Sequence, residues 1–156
     1  GDVMYDACKY YSAKTIYSPD DYILATIHRQ SNVDNPRELK RVISEISKVG
    51  YDNSWLIILP LHPRTLKRVM EFSIERPKNI YTCPPKGYIE MLGFTRNARL
   101  VMTDSGGLQR EAFFLGVPCR LLRDTTEWPE TITGKVSDFG DGHAAEKIAK
   151  ILDRGE

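Results

Sequence analysis

Thr103-Asp104-Ser105-Gly106-Gly107-Leu108-Gln109-Arg110-Glu111-Ala112 is the stretch that decides the fold. An apolar run ends at Thr103, and a helical pattern begins inside the glycine pair. Glycine carries no Cβ, so its N–H can come close to an anion. A helix starting there adds free N–H donors and partial positive charge. Ser105 adds a hydroxyl. Strand, glycine turn and helix together make a diphosphate cradle without a Walker lysine. Glu111 lies about one helical turn along, on the side facing the strand ends. A carboxylate there can accept both hydroxyls of a ribose.

The same strand-turn-helix unit recurs on either side. Short β-rich runs occupy 22–26, 55–59, 80–82, 100–103 and 119–122, with helical periodicity between them. After Asp34, Asn35 reads as an N-cap, Pro36 as the first helical residue and Glu38 as the partner that closes a capping box. Leu39, Val42, Ile43 and Ile46 then form one apolar stripe, which Gly50 ends. A second helix starts near Pro63, with Leu66, Val69 and Met70 inward. Others cover 88–97, run from Gly106-Gly107 to Gly116, and cover 144–152. Residues 1–14 look helical, with Met4, Ala7, Cys8 and Tyr11 on one side, and are expected to pack on a domain outside this sequence. Alternation with short loops predicts a Rossmann-like α/β chain, three layers α/β/α around a parallel sheet. The strands are almost continuously apolar, as strands covered on both faces should be. Arg120 is the exception, and predicts an edge position or a reach toward ligand.

The chain has 156 residues, enough for one self-supporting core. Its 22 basic residues face 21 acidic ones, for a net charge of +1, which argues against a nucleic-acid surface built on bulk charge. No apolar run approaches the length of a membrane span, and residues 1–14 do not read as a signal peptide. Cys8, Cys83 and Cys119 stand at unrelated spacings, so reduced thiols in a cytoplasmic protein are expected. They form no CxxC and no zinc pattern, and the sequence shows no metal triad.

In such sheets ligands bind where strands lead into helices, so the informative residues should follow the strands. Thr26-Ile27-His28-Arg29-Gln30-Ser31-Asn32 follows the first. His28 can donate to a phosphate or move a proton, and Arg29 can clamp an anion. Leu61-His62-Pro63 follows the second, with His62 held extended by the proline. Pro84-Pro85-Lys86-Gly87-Tyr88 follows the third, a stiff turn able to meet a flat base edge, with Tyr88 able to stack on a base or simply to cap the next helix. Arg123-Asp124-Thr125-Thr126-Glu127-Trp128-Pro129-Glu130 follows the fifth and is dense in polar groups.

This ordered set resembles the non-hydrolysing UDP-N-acetylglucosamine 2-epimerases. The resemblance implies a two-domain GT-B architecture with the active site between two Rossmann-like halves. It implies that 1–156 is the C-terminal, UDP-binding half and that 1–14 belongs to the interdomain crossover. The implied reaction interconverts UDP-GlcNAc and UDP-ManNAc. The C2 proton is removed, UDP leaves to give a 2-acetamidoglucal, and UDP adds back after reprotonation. The implied enzyme is a cytoplasmic homodimer of polysaccharide biosynthesis, needing no cofactor.

Carried over to this sequence, Ser105, Gly106 and Gly107 would hold the diphosphate and Glu111 the ribose. Pro85, Tyr88 and Met91 would border the uracil. His28 would assist UDP departure. Arg29, His62, Arg123, Thr125 and Glu127 match positions near the substrate or a second, regulatory nucleotide sugar. Ser31 departs from the family's glutamate at that position and puts allosteric activation in doubt. The family's acid–base carboxylates belong to the N-terminal half, so this chain by itself is expected not to epimerise. The alternatives are the donor-binding half of a GT-B glycosyltransferase and a non-catalytic nucleotide-sugar-binding module. A hydrolysing sibling reaction is not distinguished by this half.

Overall fold

The computed structural model describes residues 1–13, 21–123 and 125–154. Lys14 of the expected crossover segment and Asp124 of the last motif lie outside them. The sheet has five strands: β1 (Tyr22–Thr26), β2 (Leu56–Pro60), β3 (Ile80–Cys83), β4 (Leu100–Thr103) and β5 (Cys119–Leu121). Their order is β3-β2-β1-β4-β5 and every pairing is parallel. In the central strand, alternate side chains enter opposite layers. Ile23 and Ala25 join Leu39, Val42 and Ile46 on one face. Tyr22 and Leu24 join Val101, Leu108 and Ala112 on the other. The expected three-layer α/β/α arrangement is therefore present.

Helix α1 covers Val3–Ser12, the one-turn α2 Gln30–Val33, and α3 Pro36–Asn53. Then come α4 (Pro63–Glu71), α5 (Tyr88–Asn97), α6 (Gly106–Phe114), α7 (Glu130–Thr133) and α8 (Ala144–Arg154). A 3-10 turn occupies Val136–Phe139. Neither α2, α7 nor that turn is long enough to show a period in the sequence. None of the helices among the described residues is long and apolar enough to cross a membrane.

Four expectations change. Asn35 caps α3 through Oδ1, which accepts from the N–H groups of Arg37 and Glu38, but Glu38 does not complete a box. Its carboxylate turns instead to Arg41, 2.7 Å away. Nor does Gly50 end the helix, which runs to Asn53 and is capped by Ser54 at φ 58°. Gly50 is there for contact: a Cβ would lie 2.7 Å from Ile57 Cδ1 and 3.0 Å from the Trp55 carbonyl. Gly50→Ala, which favours an ordinary helix interior, is therefore expected to destabilise the chain by about 1–2 kcal/mol through overpacking. Chemical denaturation measures it, and a gain in stability would refute the packing account.

Helix α4 turns a different face inward. Leu66 is 44% and Met70 71% exposed, while Thr65 is buried and Val69 packs on the core. The Thr65 hydroxyl donates to the Ile27 carbonyl, and that bond sets the rotation of the helix. Finally, α1 packs on this chain's own α5, α6 and α8 rather than waiting for another domain. Asp2 caps it and also pairs with Arg110 of α6, and Tyr5 meets Phe114 at 5.1 Å between ring centres. Arg120 sits on the edge strand as expected. Its guanidinium reaches Glu45 of α3 at 2.7 Å, not a ligand site.

Candidate functional site

The C-terminal ends of β1 to β4 open into one pocket of about 380 Å³. From the β1 end come Thr26, Ile27 and His28; from the β2 end, Pro60 and His62. The β3–α5 turn and α5 give Pro85, Lys86, Tyr88 and Met91. Helix α6 and its cap give Ser105, Gly107, Leu108 and Glu111. Four separately read motifs thus share one cavity. A larger groove, about 890 Å³, lies between α3 and residues 72–78. It contains none of the motif residues.

At the start of α6, Ser105 is the N-cap, and its Oγ accepts from the Leu108 N–H at 3.3 Å. The N–H groups of Gly106 and Gly107 make no hydrogen bond among the described residues. They are the unsatisfied donors that every helix start leaves. The two glycines differ. A Cβ at Gly107 would meet nothing closer than 3.7 Å, whereas one at Gly106 would lie 2.9 Å from Glu127 Oε2 and from Trp128 Nε1. Gly106 is outside the pocket lining, and its missing Cβ makes room for the 125–129 loop.

Glu111 faces the pocket with 9% of its surface exposed. No hydrogen bond or ion pair among the described residues ends on its carboxyl. Burial without a partner pushes that carboxyl up to about 7. The nearby Tyr88 phenol is pushed up to about 12 by burial and by Glu111, and the Cys8 thiol behind it to about 12 for the same two reasons. Neither supplies a countercharge. A buried, unpaired carboxyl at the edge of a cleft makes Glu111 a candidate to meet a ligand's donors.

His28 is held by Asp104, the residue after β4. Its Nδ1 lies 3.0 Å from Asp104 Oδ1, and its ring centre is 6.0 Å from that of His62. His62 is spent locally: it caps α4, its Nδ1 accepting from the Arg64 N–H at 3.2 Å.

The remaining candidates form a cluster beside the pocket. Arg29 donates through Nε to the Asp104 carbonyl at 2.9 Å and pairs with Glu127 at 2.7 Å. Arg123 meets the other oxygen of Glu127 at 2.8 Å and Gln109 at 3.0 Å. These two guanidinium groups, Arg123 foremost, hold the Glu127 carboxyl below its usual range. Thr125 is exposed on the same loop. None of Arg29, Arg123, Thr125 and Glu127 lines the pocket.

Asp104, Asn32 and Gln109 stand inside the motifs, with no role legible from the sequence alone. All three are buried. Asp104 joins the ends of β1 and β4, and Gln109 ties α6 to Arg123, Thr126 and Thr131. An acid directly after a strand that ends in a ligand loop was the available signal.

Comparison with known proteins gives a consistent result. The family model described as UDP-N-acetylglucosamine 2-epimerase matches residues 1–137. A UDP-N-acetylglucosamine 2-epimerase of Methanocaldococcus jannaschii is 37% identical over 88% of this chain and 46% of that protein. A UDP-2,3-diacetamido-2,3-dideoxy-D-glucuronate 2-epimerase of Pseudomonas aeruginosa is 38% identical over 85% of this chain and 38% of that protein. The crystal structure of the M. jannaschii enzyme with UDP-GlcNAc and UDP superposes with a TM-score of 0.81 at 32% identity, covering 99% of this chain and 54% of that one. The chain spans about half the length of the proteins it matches or less.

Proposed function

The chain belongs to the UDP-N-acetylglucosamine 2-epimerase family, and from that premise we propose that its pocket binds the UDP of a UDP-2-acetamido sugar. The carrying observation is the convergence of His28, Tyr88, Met91, the α6 start and an unpaired Glu111 on one cavity. In this reading Ser105, Gly107 and the α6 N-terminus take the diphosphate. Glu111 accepts from the ribose hydroxyls. Pro85, Tyr88 and Met91 border the uracil. His28 faces the phosphates and assists UDP departure. Gly106, Arg29, His62, Arg123, Thr125 and Glu127 form the rim on which the sugar or a second nucleotide sugar is met.

We propose that residues 1–156 are the C-terminal half of a GT-B enzyme, with 1–14 entering from the interdomain crossover. In this reading the whole enzyme removes the C2 proton and expels UDP from C1 to leave the 2-acetamidoglucal; a proton returned to the opposite face of C2 and UDP re-added at C1 then give the C2 epimer. A single wall cannot orient C2 against a base or exclude water. The 156-residue chain is therefore expected to bind UDP yet leave the C2 hydrogen of UDP-GlcNAc unexchanged in deuterated water. The likeness to an epimerase for a diacetamido uronate supports reading the substrate class as UDP-2-acetamido sugars, with UDP-GlcNAc first to test. In this reading the assembled enzyme is a cytoplasmic homodimer supplying polysaccharide synthesis, and the free Cys8, Cys83 and Cys119 of this chain suit that compartment.

Titration with UDP, followed by amide NMR, tests the site. Saturable shifts around residues 105–111 and 84–88 are expected. No shift at millimolar UDP overturns the placement of the nucleotide on this half.

A further inference from the structure

The Asp104 carboxylate is wholly buried, yet it does not line the pocket at the strand ends. One oxygen, Oδ1, accepts from the His28 N–H at 3.1 Å and lies 3.0 Å from His28 Nδ1. The other accepts from the Arg29 N–H at 2.9 Å and Asn32 Nδ2 at 3.0 Å. Burial alone raises such a carboxyl. Here the hydrogen bonds from His28, Arg29 and Asn32 outweigh burial and hold it below its usual range. A carboxylate in that state only accepts, so the His28 nitrogen facing it must carry a proton. The Arg29 guanidinium does not touch this carboxylate; it is engaged by the Asp104 carbonyl and by Glu127. His28 is therefore the one ionisable side chain, among the described residues, that the carboxylate meets directly.

We propose that Asp104 is a positioning residue: it pins the proton on Nδ1 of His28 and turns Nε2 toward the pocket, where it meets the phosphate of a bound nucleoside diphosphate. This rests on the UDP-site reading for the ligand, but not for the tautomer. Three arrangements in the structure serve it. The backbone donors of residues 28 and 29 fix the carboxylate, so it cannot swing with the ring. Asn32 also donates to the Leu122 carbonyl at 2.8 Å, which ties the acceptor to the β5 end. His28 lines the pocket beside the α6 cap. When a phosphate approaches Nε2, a proton gained there leaves an imidazolium between two anions, and its charge is backed by Asp104. Negative charge that grows on a departing phosphate then meets a charged donor rather than a neutral one.

The first test needs no ligand and no variant. Imidazole ¹⁵N shifts of the 156-residue chain, recorded where His28 is neutral, should report the Nδ1–H form. Finding the Nε2–H form overturns the proposal. In Asp104→Asn the new amide should donate to Nδ1 and switch the ring to Nε2–H, provided the amide spectrum shows the fold intact. An unchanged tautomer in a folded variant also overturns it. The second test is a double-mutant cycle on UDP affinity. Asp104→Asn should weaken binding about tenfold in the parent, as loss of a charge-assisted bond does. In a His28→Ala background it should change binding by less than about twofold. Equal losses in both backgrounds mean a purely structural role and refute the positioning claim. If the parent binds no UDP, the nucleotide-site reading fails, while the tautomer measurement still decides Asp104.

Discussion

Glu111→Gln is expected to weaken UDP binding about a hundredfold and, above neutral pH, to stabilise the chain. Both effects come from one fact: the carboxyl is buried, unpaired and pushed up to about 7. Glutamine keeps the shape but removes the charge that the ribose hydroxyls would meet, so charge-assisted bonds become neutral ones. The stability effect has the opposite sign. A carboxyl raised on folding holds its proton more tightly in the folded than in the unfolded chain. Its contribution is complete below the ordinary glutamate value and is lost as pH rises through about 7. At about pH 8 the folded chain thus bears a cost on the order of 3 kcal/mol that the glutamine variant escapes. Denaturation midpoints should coincide near pH 4 and diverge upward, the variant being the more stable. UDP affinity of the parent should rise from about pH 6 to 8, because ligand and proton compete at Glu111, and the variant should lose that slope. A variant destabilised at alkaline pH would mean that Glu111 is structurally paired, and the ribose assignment would lose its support.

Much of the fold was legible because sheet and helix signals agreed. Central strands buried on both faces show as unbroken apolar runs, and Asn35-Pro36 and Ser105-Gly106-Gly107 mark helix starts by local chemistry alone. What escaped was set by contact at a distance. The rotation of α4 depends on one hydroxyl, Thr65, reaching Ile27, and an apolar count favoured Leu66 and Met70. Gly50 reads as a stop, but its constraint is the approach of β2. The site divides in the same way. His28, Tyr88, Ser105 and Glu111 stand out by position, each following a strand in order, and they share one pocket. Arg29 reads as a free anion clamp, yet it and Arg123 are both engaged by Glu127, which the family resemblance placed with them near the substrate. Asp104 and Asn32 sit inside the quoted motifs. Their role depends on a 72-residue separation closed by the β1–β4 pairing.

That closure carries the other large expected effect. Asn32→Ala should cost about 2–4 kcal/mol, more than its size suggests. Asn32 is 5% exposed, and its Nδ2 group donates to both Asp104 Oδ2 and the Leu122 carbonyl. Alanine strips a donor from a buried carboxylate and from a backbone oxygen. Part of that cost is electrostatic and carries a pH signature. Asp104 is held below its usual range, so its contribution is complete above the unfolded carboxyl value and is lost as pH falls through the folded one. Removing Asn32 shrinks that contribution. The stability gap between parent and variant should therefore be widest near neutral pH and narrow on acidification, as the carboxylate takes its proton. A gap independent of pH would assign the whole loss to packing and to the Leu122 carbonyl. The same variant separates support from chemistry. Asp104 keeps its bonds to the N–H groups of residues 28 and 29, so His28 should retain its Nδ1–H tautomer in a chain that is less stable but still folded.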